Sequence, residues 1–184
     1  QAGHRSPLAA PRPRSPRPLS AGGDDPVFGA VDVGANSVHL LVAAVHGHHL
    51  DPLADESVLL GLGDTVDVQG TIAGAFRAEL VALLAHYAAR ARDLGARDIA
   101  FVGTQPLRRA ADARAVVAAV ESATGVPLHV LEHEEEGLLN LLGATAGRPI
   151  DAPLAVVDIG GGSSEVVVVE PGAHARSGGL PVGC

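Results

Sequence analysis

The 184-residue chain contains no lysine, no tryptophan and no methionine, and only 2% of it is aromatic. Although 47% of residues are hydrophobic, so few large rings mean a core built from Ala, Val and Leu. Cys184 is the single cysteine and the last residue, which excludes an intramolecular disulfide and a cysteine-built zinc centre. That usage fits a reducing cytoplasm, the compartment expected. No apolar run approaches the ~18 residues of a membrane span, so no membrane partner is expected. The first 23 residues lack the apolar middle of a signal peptide, and their prolines spoil an amphipathic transit helix. Residues 1–25 are therefore expected to form a disordered Pro/Arg-rich tail.

All 13 basic residues are arginines. The net charge is −8, and Arg5, Arg12, Arg14 and Arg17 lie in an acid-free stretch, leaving −12 on the remainder. An acidic body lacks the basic face that neutralises a nucleic-acid backbone, so no nucleic-acid partner is expected. A small phosphorylated substrate remains compatible, because a few arginines, backbone amides and a divalent cation can reverse the field inside one cleft.

The informative stretch is VVDIGGGSSEVVVVE, residues 156–170. Its flanks are strand-forming, and the interruption is one acid, three glycines and two serines. Glycines in such a run mark a tight turn or a close backbone approach. Consecutive N–H groups and serine hydroxyls there suit an anion, and Asp158 is placed to hold a neutralising cation. VDVGANSVHLLV, residues 31–42, repeats the layout. Both fit D-x-G-x-x-S, with Asp32 matching Asp158, Gly34 matching Gly160 and Ser37 matching Ser163. Two related lobes, each offering a phosphate hairpin to a shared cleft, account for the repeat.

Strands are expected at 27–33, 37–45 and 49–59, with His46, His48 and His49 in a solvated turn around Gly47 rather than on a metal. A helix is expected from a Thr71 cap to Leu94, with a buried stripe of Ile72, Phe76, Leu80, Leu83, Tyr87, Ala91 and Leu94. A strand follows at 98–103, a helix at 112–125 capped by Asp112, a strand at 127–132 and a helix at 133–146. This is an α/β arrangement: one lobe at 26–150, then the start of a second at 151–184. The chain opens on Gln and ends soon after its second hairpin, which reads as a fragment.

Two loops carry further chemistry. Glu134, Glu135 and Glu136 occupy a first helical turn, where the helix dipole favours carboxylates. Helix stabilisation accounts for two of them; one aimed into a phosphate cleft would activate a water. VGTQPLRRA (102–110) follows a buried strand, where α/β folds bind ligands. Either Arg108 or Arg109 suits a phosphate clamp, with Arg109 favoured as an exposed loop residue.

In this order, VDVGANSVHLLV, VGTQPLRRA, HEEEGLL and VVDIGGGSSEVV resemble the exopolyphosphatase / guanosine pentaphosphate phosphohydrolase family, over about Val27 to Cys184. DIGGGSSE is similar to the family's D-I-G-G-G-S-T-E, with Ser164 in place of Thr. The resemblance implies the actin-like ATPase / sugar kinase / Hsp70 fold, with two ribonuclease-H-like lobes around a cleft. It implies Mg²⁺-dependent hydrolysis of the terminal phosphate of polyphosphate, or of the 5′ γ-phosphate of pppGpp. By the same resemblance, Glu136 is the catalytic base, Glu165 the second functional glutamate and Asp158 the acid that places Mg²⁺. Arg108 falls on the arginine of the family's (S/T)-x-x-L-R loop. Gly34, Asn36, Ser37, Gly160, Gly161, Gly162, Ser163 and Ser164 line the phosphate loops. The family often reads R-L-G-E-G-L where this chain reads LLGLGDT, so Leu59 and Leu62 replace an Arg and a Glu expected at the cleft mouth. A homodimer is expected of the full-length protein. The competing readings are a non-catalytic polyphosphate or alarmone binder, an inactive fragment, and an ATP-dependent kinase of the same fold.

Overall fold

The structure is a computed structural model that describes residues 25–184. The tail expected at 1–25 lies, apart from Asp25, outside the described residues.

Strands β1 (Val27–Val33), β2 (Ser37–His46) and β3 (His49–Leu59) form the expected antiparallel meander. β1 buries Gly29, Val31 and Val33 while its alternate residues face outward, the period-two pattern of a half-buried strand. Gly47 turns β2 into β3 with φ 60°, and His46, His48 and His49 around it are exposed. β4 (Ala96–Gly103) and β5 (Leu128–Val130) add parallel strands, giving the order β3-β2-β1-β4-β5. Pro52 is tolerated in β3 because this strand lies at the sheet edge.

The helical crossovers depart from expectation at their ends. α1 (Leu62–Gln69) reads as LGDTVDVQ, whose Asp, Thr and Val residues are poor helix formers, so it carries no local helix signal. It exists because Leu62 and Val66 are drawn into the core. α2 spans Gly74–Asp93 with Ala73 at its N-cap, so Thr71 caps nothing. Gly70 and Gly74, with φ 70° and 58°, bracket an irregular link that cannot be helical. α2 buries Leu80, Leu84, Tyr87, Ala88 and Ala91; the expected stripe, Leu83 included, packs on the core, and Leu84 and Ala88 widen it. After α3 (Gln105–Arg109), α4 (Ala113–Thr124) starts at Asp112, whose carboxylate makes no cap. It accepts instead from Ile72 N–H at 2.8 Å and from Arg77 at 2.6 Å, tying the two crossovers together.

α5 (His133–Thr145), expected with the first lobe, packs on a second sheet, because its inward residues Gly137 and Leu141 meet Val167 and Val169. That sheet is β6 (Leu154–Ile159), β7 (Ser164–Val169) and β8 (Arg176–Leu180), all antiparallel. β8 is Gly-rich and gives no strand signal by itself; pairing with β7 makes it a strand. Among the described residues no helix is long and apolar enough to cross a membrane.

Candidate active site

The two sequence repeats fold into turns closed by the same hydrogen bond. Gly34 N–H donates to Ser37 O at 3.0 Å, and Gly160 N–H donates to Ser163 O at 2.8 Å. A Cβ added to Gly34 or to Gly160 would lie 3.2 Å from that same serine carbonyl, so both turns are as tight at the same place. The first turn is clasped from behind by the chain entering α1. Leu60 and Gly61 N–H both donate to Asn36 O at 3.0 Å, and Gly63 N–H to Ala35 O at 2.9 Å.

The hairpins face each other across a cleft of about 270 Å³. The first contributes Asp32, Gly34, Asn36 and Ser37; the second contributes Asp158, Gly160, Gly161, Gly162 and Ser163. Thr104 and Gln105 from the β4–α3 junction and Glu136 from α5 complete the wall. The approach is close: a Cβ on Gly161 would sit 2.5 Å from Asn36 Nδ2, and one on Gly162 would sit 2.6 Å from Gln105 Oε1. Glycine is needed at both positions because the facing Asn36 and Gln105 side chains leave no room for a Cβ, a contact with protein where the sequence suggested one with an anion.

The three glutamates of α5 divide as anticipated. Glu134 is exposed, and Glu135 accepts from the Glu132 N–H at 2.9 Å in a capping contact. Glu136 turns into the cleft, its side chain 14% exposed. The two arginines divide as well. Arg109 points away and pairs with Asp67, whereas Arg108 reaches across to the second lobe. Arg108 Nη1 donates to Glu136 Oε2 at 2.7 Å and to Leu131 O at 2.6 Å, and Nη2 lies 3.4 Å from Ser163 Oγ. Burial pushes the Glu136 carboxyl above its ordinary value, as do the charges of Glu165 and Asp32; the Arg108 bond opposes them without cancelling them.

Glu165 and Ser164 do not line the cleft. In β7 alternate residues point to opposite faces, so Ser163 and Glu165 turn inward while Ser164 turns outward. The Ser164 hydroxyl donates to Val182 O at 2.6 Å, which places it outside the phosphate cradle and corrects that expectation. Glu165 lies behind the wall, 2% exposed, 2.9 Å from His133 Nδ1 and 3.9 Å from Arg108 Nη2. Leu62 is fully buried in the core, which corrects the expectation of a lost Glu at the cleft mouth, whereas Leu59 is 84% exposed and pairs with Ser37 of the first hairpin.

Three residues were not singled out as site residues in the sequence. Asp32 lines the cleft opposite Asp158; the repeat itself was the signal, since it pairs these acids. Asp32 is exposed to the cleft, and partial desolvation there raises its carboxyl above the ordinary value; His39 opposes the rise and Asp158 adds to it. Gln105, 5% exposed, has no partner for Oε1 among the described residues. His133 had no local signal at all. His133, Glu136 and Glu165 each bring a ligand atom within 4.8 Å of the others, but the Arg108 guanidinium lies among them and already meets their charge. Asp32 and Asp158 fit a divalent cation better: two uncompensated carboxylates, one per hairpin, offer the oxygen ligands Mg²⁺ requires. Asn140 donates to Asp158 Oδ2 at 2.7 Å, which fixes that carboxylate and leaves its second oxygen for the cleft.

The chain is 34% identical to the exopolyphosphatase 1 of Mycobacterium tuberculosis over 146 residues, 76% of this chain and 41% of that protein. It is 27% identical to the guanosine-5'-triphosphate,3'-diphosphate pyrophosphatase of Vibrio vulnificus over 166 residues, 90% of this chain and 33% of that one. The crystal structure of the Aquifex aeolicus member of the Ppx/GppA family superimposes with a TM-score of 0.77 at 26% identity, covering 86% of this chain and 52% of that one. The chain thus spans about a third to a half of the length of these relatives. The fold is that of the actin-like ATPases. With residues 41–184 matching the Ppx/GppA phosphatase family, the chain belongs to that family.

Proposed function

We propose that this cleft hydrolyses the terminal phosphate of inorganic polyphosphate, the 5′ γ-phosphate of pppGpp, or both, with Glu136 as the base. The observation that carries the reading is the meeting of two duplicated glycine hairpins over a cleft walled by one largely buried glutamate. The backbone amides of the hairpins, with Ser37 and Ser163, would hold the phosphoryl oxygens. Asp32 and Asp158 would hold Mg²⁺, which when bound supplies positive charge beside the transferring group. Glu136 accepts a proton from a water as its oxygen forms the new P–O bond. The bridging P–O bond breaks, and its electron pair leaves on the shortened chain or nucleotide. Raising the Glu136 carboxyl brings its basicity nearer to neutral pH, where proton transfer is most efficient. Arg108, from the first lobe, holds Glu136 and Ser163 of the second in register.

The test is phosphate release from polyphosphate and from pppGpp by the wild type and by Glu136→Gln. Loss of turnover by about 10² to 10⁴-fold with retained binding supports the base. Unchanged turnover in Glu136→Gln refutes it, and binding without turnover by the wild type favours the non-catalytic binder.

A further inference from the structure

We propose that His133 is a positioning residue that fixes the buried Glu165 carboxylate, and through it the Arg108–Glu136 pair; the inference rests on the hydrolase reading above. Glu165 is 2% exposed, and its single hydrogen-bond partner among the described residues is His133, 2.9 Å from Oε1. The next cation, Arg108 Nη2, is 3.9 Å away, too far for a hydrogen bond. A carboxylate so deeply buried is costly without a donor, so His133 decides where it sits.

The contacts also assign the hydrogen. Nδ1 of His133 lies near both Glu165 and, at 3.3 Å, Arg108 Nη2. One ring nitrogen cannot donate to the first and accept from the second. A carboxylate offers only lone pairs, so Nδ1 carries the hydrogen and Arg108 Nη2 is left to Ser163 Oγ at 3.4 Å. The ring cannot swing away easily, because the β8 backbone at Gly179 passes so close that a Cβ there would fall on the imidazole.

Without His133 the nearest replacement donor for Glu165 is the Arg108 guanidinium. Turning toward Glu165 takes it from Glu136 and Ser163, the two groups it holds together. The backbone amides of both phosphate hairpins stay as they are, with Gly160 N–H still on Ser163 O, so the damage falls mainly on kcat and little on KM.

The test compares His133→Leu, which keeps bulk without a donor, with His133→Asn, whose amide can donate from near the Nδ1 position. His133→Leu is expected to lower kcat by about tenfold to a hundredfold, the loss of a charged hydrogen bond. KM should stay within about twofold, with His133→Asn recovering most of the rate and both variants melting near the wild type. A wild-type kcat in His133→Leu, or His133→Asn as slow as His133→Leu, overturns the proposal. Long-range ¹H–¹⁵N correlation on the wild type reads the tautomer without any substrate. Hydrogen on Nδ1 of the neutral ring, lost in Glu165→Ala, supports the proposal; hydrogen on Nε2 overturns it. If the wild type hydrolyses neither substrate, the hydrolase reading falls, and the tautomer still decides whether His133 holds Glu165.

Discussion

Leu59→Arg and Leu62→Glu introduce the residues that the family resemblance led one to expect at these places, and the structure assigns them opposite outcomes. Leu62 is fully buried among Leu60, Val66 and the rest of the main core, whereas Leu59 is 84% exposed. Full burial of a leucine side chain is worth about 1.5–3 kcal/mol. A glutamate in its place forfeits that and adds about 1–3 kcal/mol or more for a buried polar group without a partner. The sum is about 4 kcal/mol, a large part of the 5–15 kcal/mol that stabilises an ordinary domain. For a chain of this size each kcal/mol moves Tm by roughly 2–4 °C, so Leu62→Glu should melt about 8–16 °C lower. Leu59→Arg changes only an exposed surface and should stay within about 0.5 kcal/mol of the wild type. Thermal and urea denaturation of the 184-residue chain followed by circular dichroism measures both, with the urea slope checking that the unfolded state is unchanged. A Leu62→Glu protein melting within about 2 °C of the wild type would place that side chain in solvent at the cleft and refute the packing argument.

The acid limb of kcat/KM provides a second check. Glu136 acts as a base only when ionised, and its carboxyl lies above the ordinary 4.5, so activity should fall as pH drops through a value higher than that. Arg108→Gln removes the bond that opposes this rise, moving the limb to still higher pH; a limb at or below 4.5 in the wild type contradicts the account. Chelation of Mg²⁺ should abolish turnover, and Asp32→Asn should raise the Mg²⁺ needed for half-maximal rate by about tenfold; an unchanged requirement removes Asp32 from the cation site. Asp112 behaves differently: burial raises its carboxyl, but the Ile72 amide and Arg77 outweigh that and hold it below its ordinary 3.8. The stability it contributes is present above 3.8 and is lost as pH falls through the depressed value. Asp112→Asn should therefore lower stability by about 1–3 kcal/mol at neutral pH and flatten the acid end of the stability profile; identical profiles would show the link between Ile72 and Arg77 to be idle.

Particular elements show where local reading works. The strands at 27–33 and 49–59 are found as expected because alternating burial is written into adjacent residues. α1 and β8 escape it because LGDTVDVQ and RSGGL have weak preferences of their own, and only the core and β7 give them a conformation. The outward turn of Ser164 was readable from strand alternation once β7 was placed, whereas the resemblance to the family motif grouped it with the phosphate ligands.

The amino-acid sequence by itself determined the two glycine hairpins and the chemistry they suit. A tight turn between strands depends on backbone freedom and donors within about six residues, and that information travels with the segment. The resemblance already separated Arg108 from Arg109 and Glu136 from its neighbours; tertiary structure alone supplied their contacts. Arg108 and not Arg109 meets Glu136 and Ser163, which lie 28 and 55 positions away and arrive only when the lobes meet. His133 was invisible for the same reason: its single assignment is a carboxylate 32 positions on, and nothing beside it in the chain says that the two will touch.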